Sequence, residues 1–287
     1  MTKRGWIAAG VMALAVPAPQ AAAQDGPTYA TPETRDVIEK MLGAHGGYAR
    51  WRDAPTVSFD NVFFNPFAGE GQNPWWISHQ VIEQKTRRVY QDWPQSGGEL
   101  AYAGDEVWVR NWGVGNHPVF ETYFFYWFVN LPWLTQEPYV SLGPVGTDRL
   151  PGYDKDFHTV RLEFATAPSI GKNERDAFEL FIDPDDGLLR GYRYWVAWGP
   201  MLDAMRIPEG EIFGPMLRVH DTFGEFDGVV VPIRFHTMAA DGSQTYGHHT
   251  VLNYSLTRPF DESRLEKPAD AMVDEIKDVR RSATESR

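Results

Sequence analysis

The sequence predicts a mainly β protein with a few helices, its strands following one another as an antiparallel meander. Two observations predict this. Stretches with the two-residue alternation of half-buried strands recur along the chain, as where Val160, Leu162 and Phe164 alternate with Arg161 and Glu163. Tight-turn signals separate several of them: Gly104-Asp105, Asp183-Pro184-Asp185-Asp186-Gly187, Asp227-Gly228 and Asp241-Gly242. Asp-Gly between alternating apolar runs is a strong hairpin signal, and strands joined by hairpins pair antiparallel.

In chain order, residues 1–23 read as an export leader. Lys3 and Arg4 precede an apolar run from Trp6 to Val16, and Ala21-Ala22-Ala23 supplies small residues for cleavage. The run is too short to span a bilayer, which takes about 20 residues. Thr31 then caps a helix with Pro32 at its first position; Val37, Ile38, Met41 and Leu42 share a face, and Gly46-Gly47 ends it. Strands follow over Thr56–Asn65, Trp75–Gln84, Arg87–Trp93, Glu99–Ala103 and Glu106–Asn111, and a second helix over Pro118–Leu131. Further strands cover Lys155–Phe164, Ala177–Asp183, Leu188–Trp198, Met216–Glu225, Val229–Ala239 and Thr245–Thr257. The Pro- and Gly-rich stretch Gly199–Pro215 reads as an excursion from the sheet. A last helix is expected over Ala271–Arg281, with Met272, Val273, Ile276 and Val279 in one stripe, and a disordered tail over 282–287. Without an internal repeat or linker, residues 24–281 read as one β domain.

Composition removes several function classes. The formal net charge is −12, and an acidic surface repels nucleic acid phosphates. The absence of cysteine excludes disulfides, thiolate zinc sites and a cysteine nucleophile. No segment after the leader is long and apolar enough for a membrane helix. There is no Gly-x-Ser-x-Gly elbow, phosphate loop, His-Glu-x-x-His or dinucleotide fingerprint. The expectation is therefore a non-enzyme without cofactor or metal.

The histidines allow a geometric test for a metal site. With two-residue turns at Asp227-Gly228 and Asp241-Gly242, His220 opposes Phe235, and Phe235 opposes His248. The two histidines then share a face two strands apart, roughly 9–10 Å, too wide for a ligand pair. The same register puts Asp221, Arg234 and His249 on one face as a polar ladder. It depends on both loop lengths, because a one-residue slip flips a strand.

The most unusual stretch is Phe120–Leu134, in which Glu121 is the one charge. A helix apolar on all sides must be buried on several. It is either a core helix packed on the sheet or a lid over an apolar cavity. Trp51, Trp75, Trp76, Trp93, Trp108, Trp112, Trp195 and Trp198 add large rings that belong in a core, in a ligand cavity or in stacking platforms for sugars.

Three stretches resemble a known superfamily, the periplasmic lipoprotein carriers and outer-membrane lipoprotein-sorting proteins. Thr86-Arg87-Arg88-Val89-Tyr90 followed by Gly104-Asp105-Glu106-Val107-Trp108-Val109 is similar to its strand and ensuing hairpin. Phe178–Tyr194, around Asp183-Pro184-Asp185-Asp186-Gly187, is similar to its Leu-x-Ile-Asp-x-x-(Thr/Asp)-Gly hairpin. Tyr254–Asp261, ending at Leu265-Glu266-Lys267-Pro268, is similar to its last strand and closing segment. This chain departs in its length, in the aromatic stretch and in reading Gly104-Asp105 where the family prefers Asp-Gly.

The resemblance implies a strongly curved antiparallel sheet, an open half-barrel, with helices covering a concave face where family members hold acyl chains. It implies an exported, soluble periplasmic carrier for a lipophilic small molecule or a lipoprotein acyl chain, in transient contact with envelope membrane proteins. The residues expected to line its ligand site are Trp76, Trp108, Phe120, Tyr123, Phe124, Trp127, Phe128 and Tyr194. The alternative is a glycan-binding or glycan-processing envelope protein using tryptophan platforms. A hydrolase of another type and a ligand-free scaffold stand behind it.

Overall fold

A computed structural model describes residues 26–274. The leader, the tail and most of the helix expected over Ala271–Arg281 lie outside the described residues. In chain order the elements are β1 (Thr28–Tyr29), α1 (Pro32–Ala44), α2 (Tyr48–Arg52), β2 (Thr56–Phe64), β3 (Trp75–Glu83), β4 (Val89–Trp93), β5 (Gly98–Tyr102), β6 (Val107–Arg110) and α3 (Pro118–Leu134). There follow β7 (Val140–Arg149), β8 (Asp156–Phe164), β9 (Ala177–Ile182), β10 (Leu189–Val196), α4 (Gly199–Ala204), β11 (Phe213–Phe226), β12 (Val229–Ala239), β13 (Thr245–Ser255), a 3-10 turn at Glu262–Leu265 and β14 (Met272–Asp274).

The fourteen strands form one curved, unclosed sheet in the order β1-β7-β8-β9-β10-β11-β12-β13-β2-β3-β4-β5-β6-β14. All neighbours pair antiparallel except β1 on β7. The mainly β half-barrel expected from the sequence is the fold observed. The last predicted helix is corrected where it begins: Met272–Asp274 is extended and pairs with β6. Unforeseen β7 carries Gly143, Pro144 and Gly146, weak strand formers, and its register shifts between Leu142 and Val145.

Local chemistry explains the helix ends. The Thr31 side chain accepts from Thr34 N at 3.1 Å, capping α1. Gly46, at φ +89°, ends the region, and a Cβ there would collide with Gly228 O. Glycine therefore serves both the left-handed turn and the close approach of the β11–β12 hairpin.

Helix α3 runs three residues past its expected end, through Pro132. Proline has no N–H, so the carbonyl of Phe128, four residues earlier, loses its helical donor. The Tyr192 hydroxyl donates to Phe128 O at 3.4 Å instead. The helix lies in the curve of the sheet, and from Val119 to Leu134 every residue except Phe124 is buried. It is tied down by polar contacts: Gln91 Nε2 donates to the carbonyls of Glu121 and Thr122 at 3.2 and 3.1 Å. The main apolar core sits on this concave side. Two smaller clusters cover the convex side, one of Leu150, Phe157, Phe181, Leu217, Val219 and Met238, the other of Val81, Tyr90, Ala101 and Trp108.

The first hairpin keeps the expected register at both ends, with His220 opposite Phe235 and Phe226 opposite Val229, but it is irregular between them, where Thr222 and not Asp221 stands opposite Arg234. The second does not keep it. Thr237 pairs with Gly247 and Met238 with Thr245, so Tyr246 is an extra residue bulged out of β13. Beyond the bulge every β13 side chain changes face. Phe235 therefore faces His249, and His236 faces His248. The expected ladder of Asp221, Arg234 and His249 is corrected accordingly: Arg234 is exposed, His249 is buried, and Asp221 bonds His236 Nδ1 at 3.0 Å. Among the described residues no group of three His, Cys, Asp or Glu is placed to hold a metal ion.

Candidate ligand cavity

A cavity of about 720 Å³ opens on the concave side between the sheet and α3. Its mouth is formed by the β2–β3 connection at Gln72 and Asn73 and by Gly115 ahead of α3, all exposed. Its inner end is buried, at Asn61 and His249 on β2 and β13, Arg218 on β11, and Glu121 on α3. Strand alternation delivers the wall. Odd positions of β2 and β13 and even positions of β3 and β11 face inward, bringing Phe63, Trp76 and Met216 to the space. Phe124 and Phe125 close the side formed by α3.

The apolar wall contains a buried polar end. The Arg218 guanidinium is 1% exposed. Its Cζ lies 3.7 Å from the ring centre of Phe128 and 4.8 Å from that of Phe235. Its Nε donates to Thr237 Oγ1 at 3.2 Å, and its Nη1 is buried without a hydrogen-bond partner. No carboxylate of the described residues comes within the 4.0 Å of an ion pair with it. Glu121 is fully buried; Asn116 Nδ2 donates to its Oε2 at 2.7 Å, and its Oε1 has no partner. Burial pushes its carboxyl up to about 8, against the weaker pull of the Asn116 bond, so it is largely protonated at neutral pH. His249 stacks between Phe63 and Phe235, each 4.8 Å away between ring centres, and bonds Asn61 Oδ1 at 3.2 Å. Burial, with the nearby cations of lesser effect, holds it well below the usual imidazole range and therefore neutral.

The eight residues expected from the sequence fall in different places. Trp76, Phe124 and Tyr194 line the cavity. Tyr123 and Trp127 line a separate hollow of about 150 Å³ on the other side of α3, where Tyr123 donates to Arg87 O and Trp127 Nε1 to Ser169 Oγ at 3.2 Å. Phe120 and Phe128 are buried in the core, Phe128 directly beneath Arg218. Trp108 lies on the convex face, where its Nε1 donates to Leu265 O at 3.2 Å. The alternation of β6 explains this: Val107 and Val109 face the main core, so Trp108 cannot. Helix α3 is thus a buried wall of the cavity, not a lid over its mouth. Glu121, Arg218 and His249 were not among the expected site residues. Glu121 stood out as the one charge of its stretch, whereas Arg218 and His249 carried no signal that distinguishes an inward from a solvated strand position. Among the described residues Trp75 alone of the tryptophans is exposed.

No helix among the described residues is long and apolar enough to cross a membrane. No protein-family model matches the chain, and no curated protein does. Solved structures do. A DUF1329 family protein from Desulfovibrio piger is 8% identical, with a TM-score of 0.50 over 82% of this chain and 98% of that one. The LolA superfamily protein NE2245 from Nitrosomonas europaea is 10% identical, at 0.49 over 82% and 97%. A putative outer membrane lipoprotein-sorting protein domain from Vibrio parahaemolyticus is 5% identical, at 0.45 over 80% and 94%. At such identities the likeness is one of fold.

Proposed function

We propose that the protein is a non-enzymatic carrier that holds a lipophilic small molecule or an acyl chain in the concave cavity. In this reading residues 1–23 direct export to the periplasm, residues 24–281 act as one carrier domain, and cargo passes through transient contact with envelope membrane proteins. The observation that carries it is the cavity itself. Its volume lies in the range of ligand sites, about 300–1,000 Å³, and its wall is mostly apolar with a few convergent polar groups. Each methylene withdrawn from water there contributes about 0.8 kcal/mol before the costs of association. Trp76, Phe124 and Tyr194 are the binding residues of this proposal.

Delipidated protein is expected to bind the neutral dye Nile red, and 1-hexadecanol is expected to displace it with a Kd below about 10 μM. Phe124→Ala, which removes a wall residue that is only half-buried, should weaken hexadecanol binding by about tenfold while costing less than about 2 kcal/mol in urea unfolding. Wild-type protein that takes up neither dye nor alcohol would sink the carrier reading.

A further inference from the structure

Resting on the carrier reading, we propose that the cargo bears a single oxyanion head, a carboxylate on an apolar chain, which Arg218 holds at the buried end of the cavity. The evidence is the arrangement around the guanidinium. A guanidinium stays charged in proteins, and a buried charge without an ion partner is costly. Arg218 is 1% exposed, its Nη1 is unpartnered, and it faces the cavity. The faces of Phe128 and Phe235 offset part of that cost through cation–π attraction. They cannot satisfy its in-plane N–H groups; Thr237 takes Nε and the Tyr192 and Tyr194 hydroxyls also lie within hydrogen-bonding reach of the group, which leaves Nη1 for an oxygen of the ligand.

Counting charge around the cavity sets the charge of the head. Apart from Tyr194 and Tyr246, the ionisable residues that line it are Arg218, Glu121 and His249. Burial keeps Glu121 protonated and His249 neutral at pH 7. The wall therefore carries one positive charge. The other buried cation of the region, Lys172, faces Asp176 at 3.7 Å and is accounted for. One negative charge on the ligand neutralises the cavity. A neutral head leaves the guanidinium unpaired, and a cationic head is repelled by it. The chain then runs from Arg218 between Trp76, Phe63 and Phe124 towards the mouth.

The test compares three amphiphiles of equal chain length, palmitate, 1-hexadecanol and hexadecylamine, as displacers of Nile red from delipidated protein at pH 7. Wild type is expected to bind palmitate about 10- to 100-fold more tightly than hexadecanol, the worth of hydrogen bonds to a charged group, and hexadecylamine more weakly than either. Arg218→Met should bring palmitate and hexadecanol within about threefold of each other. Arg218→Lys, which keeps the charge without the guanidinium, should retain part of the preference. Equal affinity for palmitate and hexadecanol in wild type overturns the oxyanion assignment and leaves the carrier reading standing. An undiminished palmitate preference in Arg218→Met overturns the role of Arg218. Failure of both amphiphiles to displace the dye, or of the dye to bind, overturns the carrier reading itself. The wild-type comparison stands whether or not either variant folds.

Discussion

Replacing Glu121 with glutamine is expected to gain about 3–4 kcal/mol on wild type between pH 5 and pH 8. Burial raises the folded-state carboxyl from 4.5 to about 8. Between those values the folded protein holds a proton there that the unfolded chain has released. Stability then falls as pH rises, by about 1.36 kcal/mol per pH unit for one proton, and the loss is complete once pH passes the folded value. Glutamine keeps the shape and still offers an oxygen to Asn116 Nδ2, but does not titrate. The difference between the two proteins should therefore slope with pH, whatever its offset at pH 5. Urea unfolding of both at pH 5, 6, 7 and 8 measures it. A difference that stays constant over that range would show that Glu121 is solvated or paired with a cation in solution.

This titration bears on the cavity. An ionised Glu121 would offset the charge of Arg218 and remove the electrostatic preference for an oxyanion. A protonated Glu121 leaves the guanidinium as the one formal charge of the wall. The low effective dielectric that raises Glu121 also strengthens any hydrogen bond Arg218 makes to a ligand. Burial of the two groups thus has opposite consequences: the carboxyl is neutralised, while the guanidinium, which cannot shed its proton, is left in search of a partner.

What could be read from the sequence was whatever depends on neighbours in the chain. The alternation in β8 and the Asp-Gly turns placed most strands and the first hairpin register. The cap at Thr31 and the glycines at 46 and 47 bounded α1. The misreadings have non-local causes. Pro132 signals a helix end, and only the hydroxyl of Tyr192, brought in from β10, compensates for its missing N–H. The Asp241-Gly242 turn keeps its two-residue register, with Ala239 N bonded to Gln244 O and Met238 opposite Thr245; the extra residue is Tyr246, inside β13, and that single residue turned His249 inward. Trp108 is ambiguous for a different reason. Both faces of β6 are covered, one by α3 and one by the chain around Phe260 and Leu265, so Val107, Trp108 and Val109 show no polar alternation to orient them. Arg218 follows the opposite logic: Leu217 and Val219 pack on the convex side, and a charged residue between them reads as solvent-facing unless the curve of the sheet is known.

Asn130→Ala is expected to cost about 4 kcal/mol, and the loss should depend on two partners far away in the chain. Asn130 is fully buried in α3. Its Oδ1 accepts from Trp51 Nε1 and from the Tyr254 hydroxyl, both at 2.8 Å, and its Nδ2 donates to Tyr126 O at 3.0 Å. Removing the amide leaves two buried donors unpaired, each costing about 1–3 kcal/mol, in addition to the small cavity. The contacts join α2, α3 and the end of β13, so they resist any outward movement of α3. Tyr254→Phe separates the desolvation cost from the bond. In the wild-type background it removes a good acceptor's partner and should cost about 1 kcal/mol. In the Asn130→Ala background it removes an orphaned hydroxyl and should be neutral or stabilising. The coupling between the two positions is then about 1–3 kcal/mol, as for residues sharing one network. Urea unfolding of the four proteins supplies the cycle. Additive costs would mean that the hydroxyl finds water, that this end of α3 is loosely held, and that the helix moves as a lid after all.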